Sequence, residues 1–178
     1  MEQPKGRPVK GRGQSAGRKT ALYGMLIALA FVFSYVEAMI PVPMPVPGAK
    51  LGLANLVSVV GLYTVGMLGT ALVALVRIVL AGFTFGNTFS MLYSLAGGIL
   101  SMAAMAGAKK SGFFSCVGVS ILGGIFHNIG QLAVAAYVLQ TTGVLAYFPA
   151  LLAAGVLTGA VIGMLGGWIV ERIGHAVK

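Results

Sequence analysis

Long apolar runs dominate the chain, and the polar positions between them are few and bunched. The first run, residues 21–40, contains one charge, Glu37, near its end. About 20 apolar residues suffice for a helix to cross a bilayer, so this run predicts a first span. The segment 41–47, Pro-Val-Pro-Met-Pro-Val-Pro, then places proline at every second position. That pattern excludes a helix and favours extended polyproline. As one helix, residues 51–81 would be about 46 Å long, against a hydrocarbon core of about 30 Å. Gly61, Gly66 and Gly69 offer a break, giving two short spans, about 51–63 and 66–80. A fourth span is expected over 87–106 and a loop at Lys109-Lys110-Ser111-Gly112. A fifth covers 113–139, tilted or kinked near Gly123-Gly124 and Gly130. A sixth covers 145–170 and ends at Glu171-Arg172. The expected fold is all-α: a polytopic membrane protein of six transmembrane helices over 20–173. A disordered basic cytoplasmic tail (1–19) precedes it and a short cytoplasmic tail (174–178) follows.

Composition sharpens this picture. Hydrophobic residues make up 58% and charged residues 8%, with mean hydropathy +0.96. Soluble domains carry about 25% charged residues, so lipid is the expected solvent. Between Thr20 and Ile173 the charges are Glu37, Lys50, Arg77, Lys109, Lys110, Glu171 and Arg172, and the chain has no aspartate. The net charge of +9 owes much to Lys5, Arg7, Lys10, Arg12, Arg18 and Lys19. With no aromatic residues among them, these predict a topology signal at anionic headgroups rather than a nucleic-acid arm. With the first tail inside, six spans also place Lys109, Lys110 and Arg172 inside. Lys50 and Arg77 then lie on the outer side, against the positive-inside trend.

An ionisable group at membrane depth is costly and needs a reason. Under this topology Glu37, Lys50, Asn55, Arg77 and Asn87 fall near the outer ends of spans one to four. His127, Asn128 and Gln131 share one face of span five, three and four residues apart. Two readings compete for this constellation. In one, the groups line an outward-facing pocket where Lys50 and Arg77 meet a carboxylate or phosphate and the amides and imidazole give direction. In the other, Glu37 pairs with Arg77 or Lys50 and the amides tie helices together. Small residues form a second pattern: Gly24 and Ala28 in span one, and Gly155, Gly159, Gly163 and Gly167 in span six. Either set allows close packing within the bundle or a docking face for another membrane subunit.

Several chemistries are excluded. There is no Gly-Lys-Ser/Thr phosphate loop, no His-Glu-x-x-His and, with Cys116 alone, no thiolate metal cluster. Magnesium held to substrate phosphates normally needs carboxylates, and Glu2, Glu37 and Glu171 are far apart. No metal, cofactor or enzymatic activity is expected of the chain itself.

The motifs Lys50-Leu-Gly-Leu-Ala-Asn-Leu-Val57, Arg77, Phe83-x-Phe85-Gly86, Ser94-Leu-Ala-Gly-Gly98 and His127-Asn-x-Gly-Gln131 carry a resemblance. Over roughly 20–172 the chain resembles the bacterial Gx transporter family, often labelled heptaprenyl diphosphate synthase component I. It is also similar to the S components of energy-coupling-factor (ECF) transporters. The resemblance implies a six-helix bundle in the cytoplasmic membrane with both termini cytoplasmic. It further implies capture of a small micronutrient, here anionic, and toppling against a transmembrane coupling subunit driven by two ATP-binding cassette ATPases. Gly24 and Ala28 would form the docking face and the loop 41–49 would gate the site. Two other roles remain open: an accessory membrane component of heptaprenyl diphosphate or quinone synthesis, and a stand-alone secondary transporter.

Overall fold

Several helix boundaries follow end-capping groups rather than the limits of the apolar runs. The computed structural model describes residues 16–40 and 52–176; Lys50 and the segment 41–49 lie outside the described residues. The order is α1 (Ala16–Met39), α2 (Asn55–Thr64), α3 (Gly66–Thr84), α4 (Thr88–Ser111), α5 (Cys116–Leu139), a 3-10 segment (Thr142–Tyr147) and α6 (Phe148–Ala176). Among the described residues five helical segments are long and apolar enough to cross a membrane, and α2 is a shorter apolar helix. The chain is a multi-pass, all-α membrane protein.

Several ends differ from the hydropathy limits. Residues 16–19, expected in the basic tail, continue α1. Lys109 and Lys110, expected in a loop, form the last turn of α4, which stops at Gly112 with φ +73°. A left-handed residue ends a helix, and glycine adopts that conformation without a Cβ clash. Helix α5 begins three residues after the expected start because the Ser115 side chain caps it, accepting from the Gly118 N–H at 3.3 Å. Helix α6 begins at Phe148 with Pro149 in its first turn, where the missing N–H costs nothing. It runs to Ala176, past the expected boundary at 173.

Of the three glycines that offered a break between spans two and three, Gly66 makes it, with φ +79°. The other two serve packing. A Cβ on Gly61 would lie 2.9 Å from Thr70 Oγ1, and one on Gly69 would lie 2.5 Å from the Tyr23 hydroxyl. Ten residues give α2 a length of about 15 Å, half the hydrocarbon core. Its end is level with the end of α4, because Lys109 Nζ donates to the Leu62 carbonyl at 2.6 Å and lies 4.4 Å over the Tyr63 ring. Leu62 is among the last carbonyls of α2, which have no intrahelical donor. The start of α2 therefore lies about 15 Å from the level of the α4 C-terminus.

Helix α5 is the centre of the bundle, held between α4 and α6 by glycines. Along α6, Cβ atoms on Gly159 and Gly163 would lie 2.7 Å from Ile121 Cα and 2.6 Å from Val117 Cα, while Gly155 faces the Gly124 backbone. Across from it, a Cβ on Gly130 would lie 2.7 Å from the Ala96 carbonyl of α4. Lipid supplies no hydrophobic drive between helices, so association rests on such close backbone approach. The α6 glycine stripe is thus used inside the bundle. Below the seam Val59, Leu62, Met102, Met105, Val119 and Ile162 form the main apolar core.

Gly163→Ala should lower stability by about 1–3 kcal/mol through overpacking, read as a drop in the thermal midpoint of the detergent-solubilised protein. Gly24→Ala, whose Cβ meets nothing within 4 Å, should leave it unchanged. Equal midpoints for the two variants would contradict the close α5–α6 seam.

Candidate functional site

Polar side chains from four helices meet about halfway along α3 and α5. Arg77 follows the start of α3 by 11 residues and His127 follows the start of α5 by 11, so each lies about 16 Å along its helix. The start of α2 reaches the same level. Arg77 was expected near the end of its span; because α3 runs on to Thr84, it is mid-helix instead.

Helix α1 contributes a buried stripe, Leu26, Ala30, Ser34 and Glu37, that turns from apolar to polar as it proceeds. Residues three and four apart share a helical face, so Ser34 and Glu37 point the same way. Arg77 is 6% exposed and Glu37 7%. Arg77 Nη1 donates to Ser34 Oγ at 3.2 Å, and its charge interacts with that of Glu37. A charge removed from water requires a partner of opposite sign and hydrogen bonds as well; the α1 stripe provides both.

Glu37 also reaches the turn before α2, where its Oε1 accepts the Gly52 N–H. A carboxylate there is favoured by the positive end of the α2 dipole. Gly52 has φ +87°, and a Cβ on it would lie 2.7 Å from Asn55 Nδ2 and 4.0 Å from His127 Cδ2. Only glycine fits this turn, and the turn brings Asn55 beside the imidazole. His127 lies against α4 where Gly97 leaves room: a Cβ there would be 2.8 Å from Nδ1. Gln131 Nε2 is 3.0 Å from His127 Nε2. Gln131 is 2% exposed, and its Oε1 has no hydrogen-bond partner among the described residues. Below Asn55 a void of about 10 Å³ touches Ser120 and Thr158, close to the space one water needs.

The structure therefore brings Glu37, Asn55, Arg77, His127 and Gln131 into one chain of contacts. Two other candidates have structural duties. Asn128 Nδ2 donates to the Leu151 carbonyl at 2.7 Å and ties α5 to α6. Asn87 is exposed and caps α4, its Oδ1 accepting the Ser90 N–H at 2.8 Å. Gly24 and Ala28 are exposed on α1. Sequence reasoning passed over Ser34, Gly52 and Gly97. Ser34 is signalled by its place three residues before Glu37. The glycines fall inside the motifs at 50–57 and 94–98, but their use depends on neighbours remote in sequence. Among the described residues no group of three His, Cys, Asp or Glu side chains is placed to hold a metal.

A family model described as heptaprenyl diphosphate synthase component I matches residues 26–169. The chain belongs to this family. Among solved structures it is similar to the S component of a bacterial ECF transporter, with 20% identity, a TM-score of 0.65, and coverage of 91% of this chain and 98% of that one. At that identity the likeness establishes a shared fold. No significant match is found among curated proteins.

Glu37→Gln and Arg77→Gln should each destabilise by about 3–5 kcal/mol, since either leaves a buried charge uncompensated. The double variant should lose less than the sum. Chemical unfolding of the four proteins in one detergent gives the coupling; strict additivity would contradict an energetic link between the two charges.

Proposed function

We propose that the chain is the membrane-embedded substrate-capturing subunit of an ECF-type importer. The reading is carried by one observation: a guanidinium, a carboxylate, an imidazole and two amides gather inside a bundle whose fold is similar to that of an S component. Hydrocarbon alone gives no reason to bury such groups. The substrate is a small polar molecule with an anionic group, which meets Arg77 and Lys50. Because Glu37 balances Arg77 in the closed network, the anion gains most where it takes over part of the carboxylate's place. Asn55, His127 and Gln131 fix its orientation, the open end of the Gln131 amide accepting a substrate N–H or O–H. No covalent step is involved. The chain has no nucleotide-binding loop, so uptake draws on a transmembrane coupling subunit and ATP-binding cassette ATPases. Gly24 and Ala28 dock against the coupling subunit. Both termini are cytoplasmic, with the protein in the bacterial cell membrane.

The solubilised chain should bind its substrate without ATP, and a thermal-shift screen of small polar anions identifies the compound. His127→Ala and Gln131→Leu should each weaken that binding about tenfold, the order expected when a buried hydrogen bond is lost. Unchanged affinity in both would refute the site. Gly24→Trp should abolish copurification of the coupling subunit while leaving substrate affinity intact. The family's name supports a second reading, an accessory of heptaprenyl diphosphate synthesis. Copurification of a soluble synthase in place of the coupling subunit and ATPases would favour it.

A further inference from the structure

A second concavity lies away from the polar belt, between α4 and α5, with a volume of about 470 Å³. Its α4 side consists of small residues, Ala103, Ala104 and Gly107 among them, and its α5 side of Leu122 and Phe126, with Phe114 just before that helix. Ser111 is the one polar residue in the lining. The groove is open: Phe114 is 47% exposed, and a Cβ on Gly107 would meet nothing within 4 Å. In a membrane protein that opening faces lipid.

We propose that this groove holds one hydrocarbon chain of a net-anionic phospholipid, with Lys110 at its headgroup. The inference needs only the membrane fold and is independent of the transport reading. Length is the first argument. From Leu100 to Ser111 the groove runs about 16 Å along α4, which matches one leaflet, half of a core about 30 Å thick. A partner transmembrane helix would cross both leaflets and, at about 10 Å across, would contact α4 well beyond the groove. An acyl chain of a single leaflet ends where the groove ends.

Charge is the second argument. The groove terminates at Ser111, in the turn that carries both lysines. Lys109 is turned to the Leu62 carbonyl and the Tyr63 ring. Lys110 is exposed and makes no hydrogen bond or ion pair among the described residues. A free ammonium thus stands at headgroup level beside an apolar channel one leaflet deep, which suits an anionic phosphate above a hydrocarbon tail.

The test is native mass spectrometry of the full chain in detergent doped with equal phosphatidylglycerol and phosphatidylcholine. One phosphatidylglycerol should be retained, with about five-fold preference, the order expected for one lysine at an anionic headgroup. Lys110→Gln should remove the preference. Gly107→Leu, which fills open space, should remove the bound lipid with the thermal midpoint unchanged, and Ala103→Leu provides a second filling variant should the first misfold. Equal retention of both lipids by the unmodified protein would overturn the proposal. So would undiminished lipid in a folded groove-filled variant, or a copurifying polypeptide that displaces lipid from the groove.

Discussion

A guanidinium buried among hydrocarbon imposes the main constraint on this molecule. Arg77 cannot ionise there without an opposite charge and a hydrogen-bond acceptor close by. Glu37 and Ser34 supply them from α1. Glu37 in turn holds the backbone of Gly52, so the same carboxylate determines where the chain enters α2. The shortness of α2 then has a reason. Its far end is capped by Lys109 at the level of the α4 C-terminus, its near end must reach the Glu37 carboxylate, and about 15 Å of helix joins the two.

Close packing completes what the charges begin. The imidazole of His127 reaches the Gly52 turn because Gly97 provides no side chain to displace it. Gln131, one turn further along, reaches back to that ring with its side chain. On the opposite side of α5 the glycines of α6 allow backbone to lie on backbone, and Asn128 locks the crossing with one hydrogen bond. Rigidity of α5 against both neighbours gives the polar belt a stable wall. A binding site benefits from such preorganisation, since less freedom is lost when a ligand arrives.

The family is named for a synthase component, and the fold is shared with a transporter subunit. The belt suits a polar molecule and the α4–α5 groove an apolar chain, and the two lie on different faces of the central helix.

Apolar runs, the length a span can have and the glycines at 61–69 determined the number and approximate place of the helices, because the cost of placing polar backbone and charge in lipid is local to each segment. They also determined that Arg77, Glu37 and His127 needed an explanation. Which partner each would have was decided by tertiary structure. Asn87 and Asn128 are as polar as Asn55, yet one caps a helix and the other ties two together. That difference rests on distances of an ångström or two between helices far apart in the chain. The glycines show the same division: their spacing along α6 is plain in the sequence, but whether the stripe faces α5 or the lipid depends on how the helix is rotated, which packing alone decides.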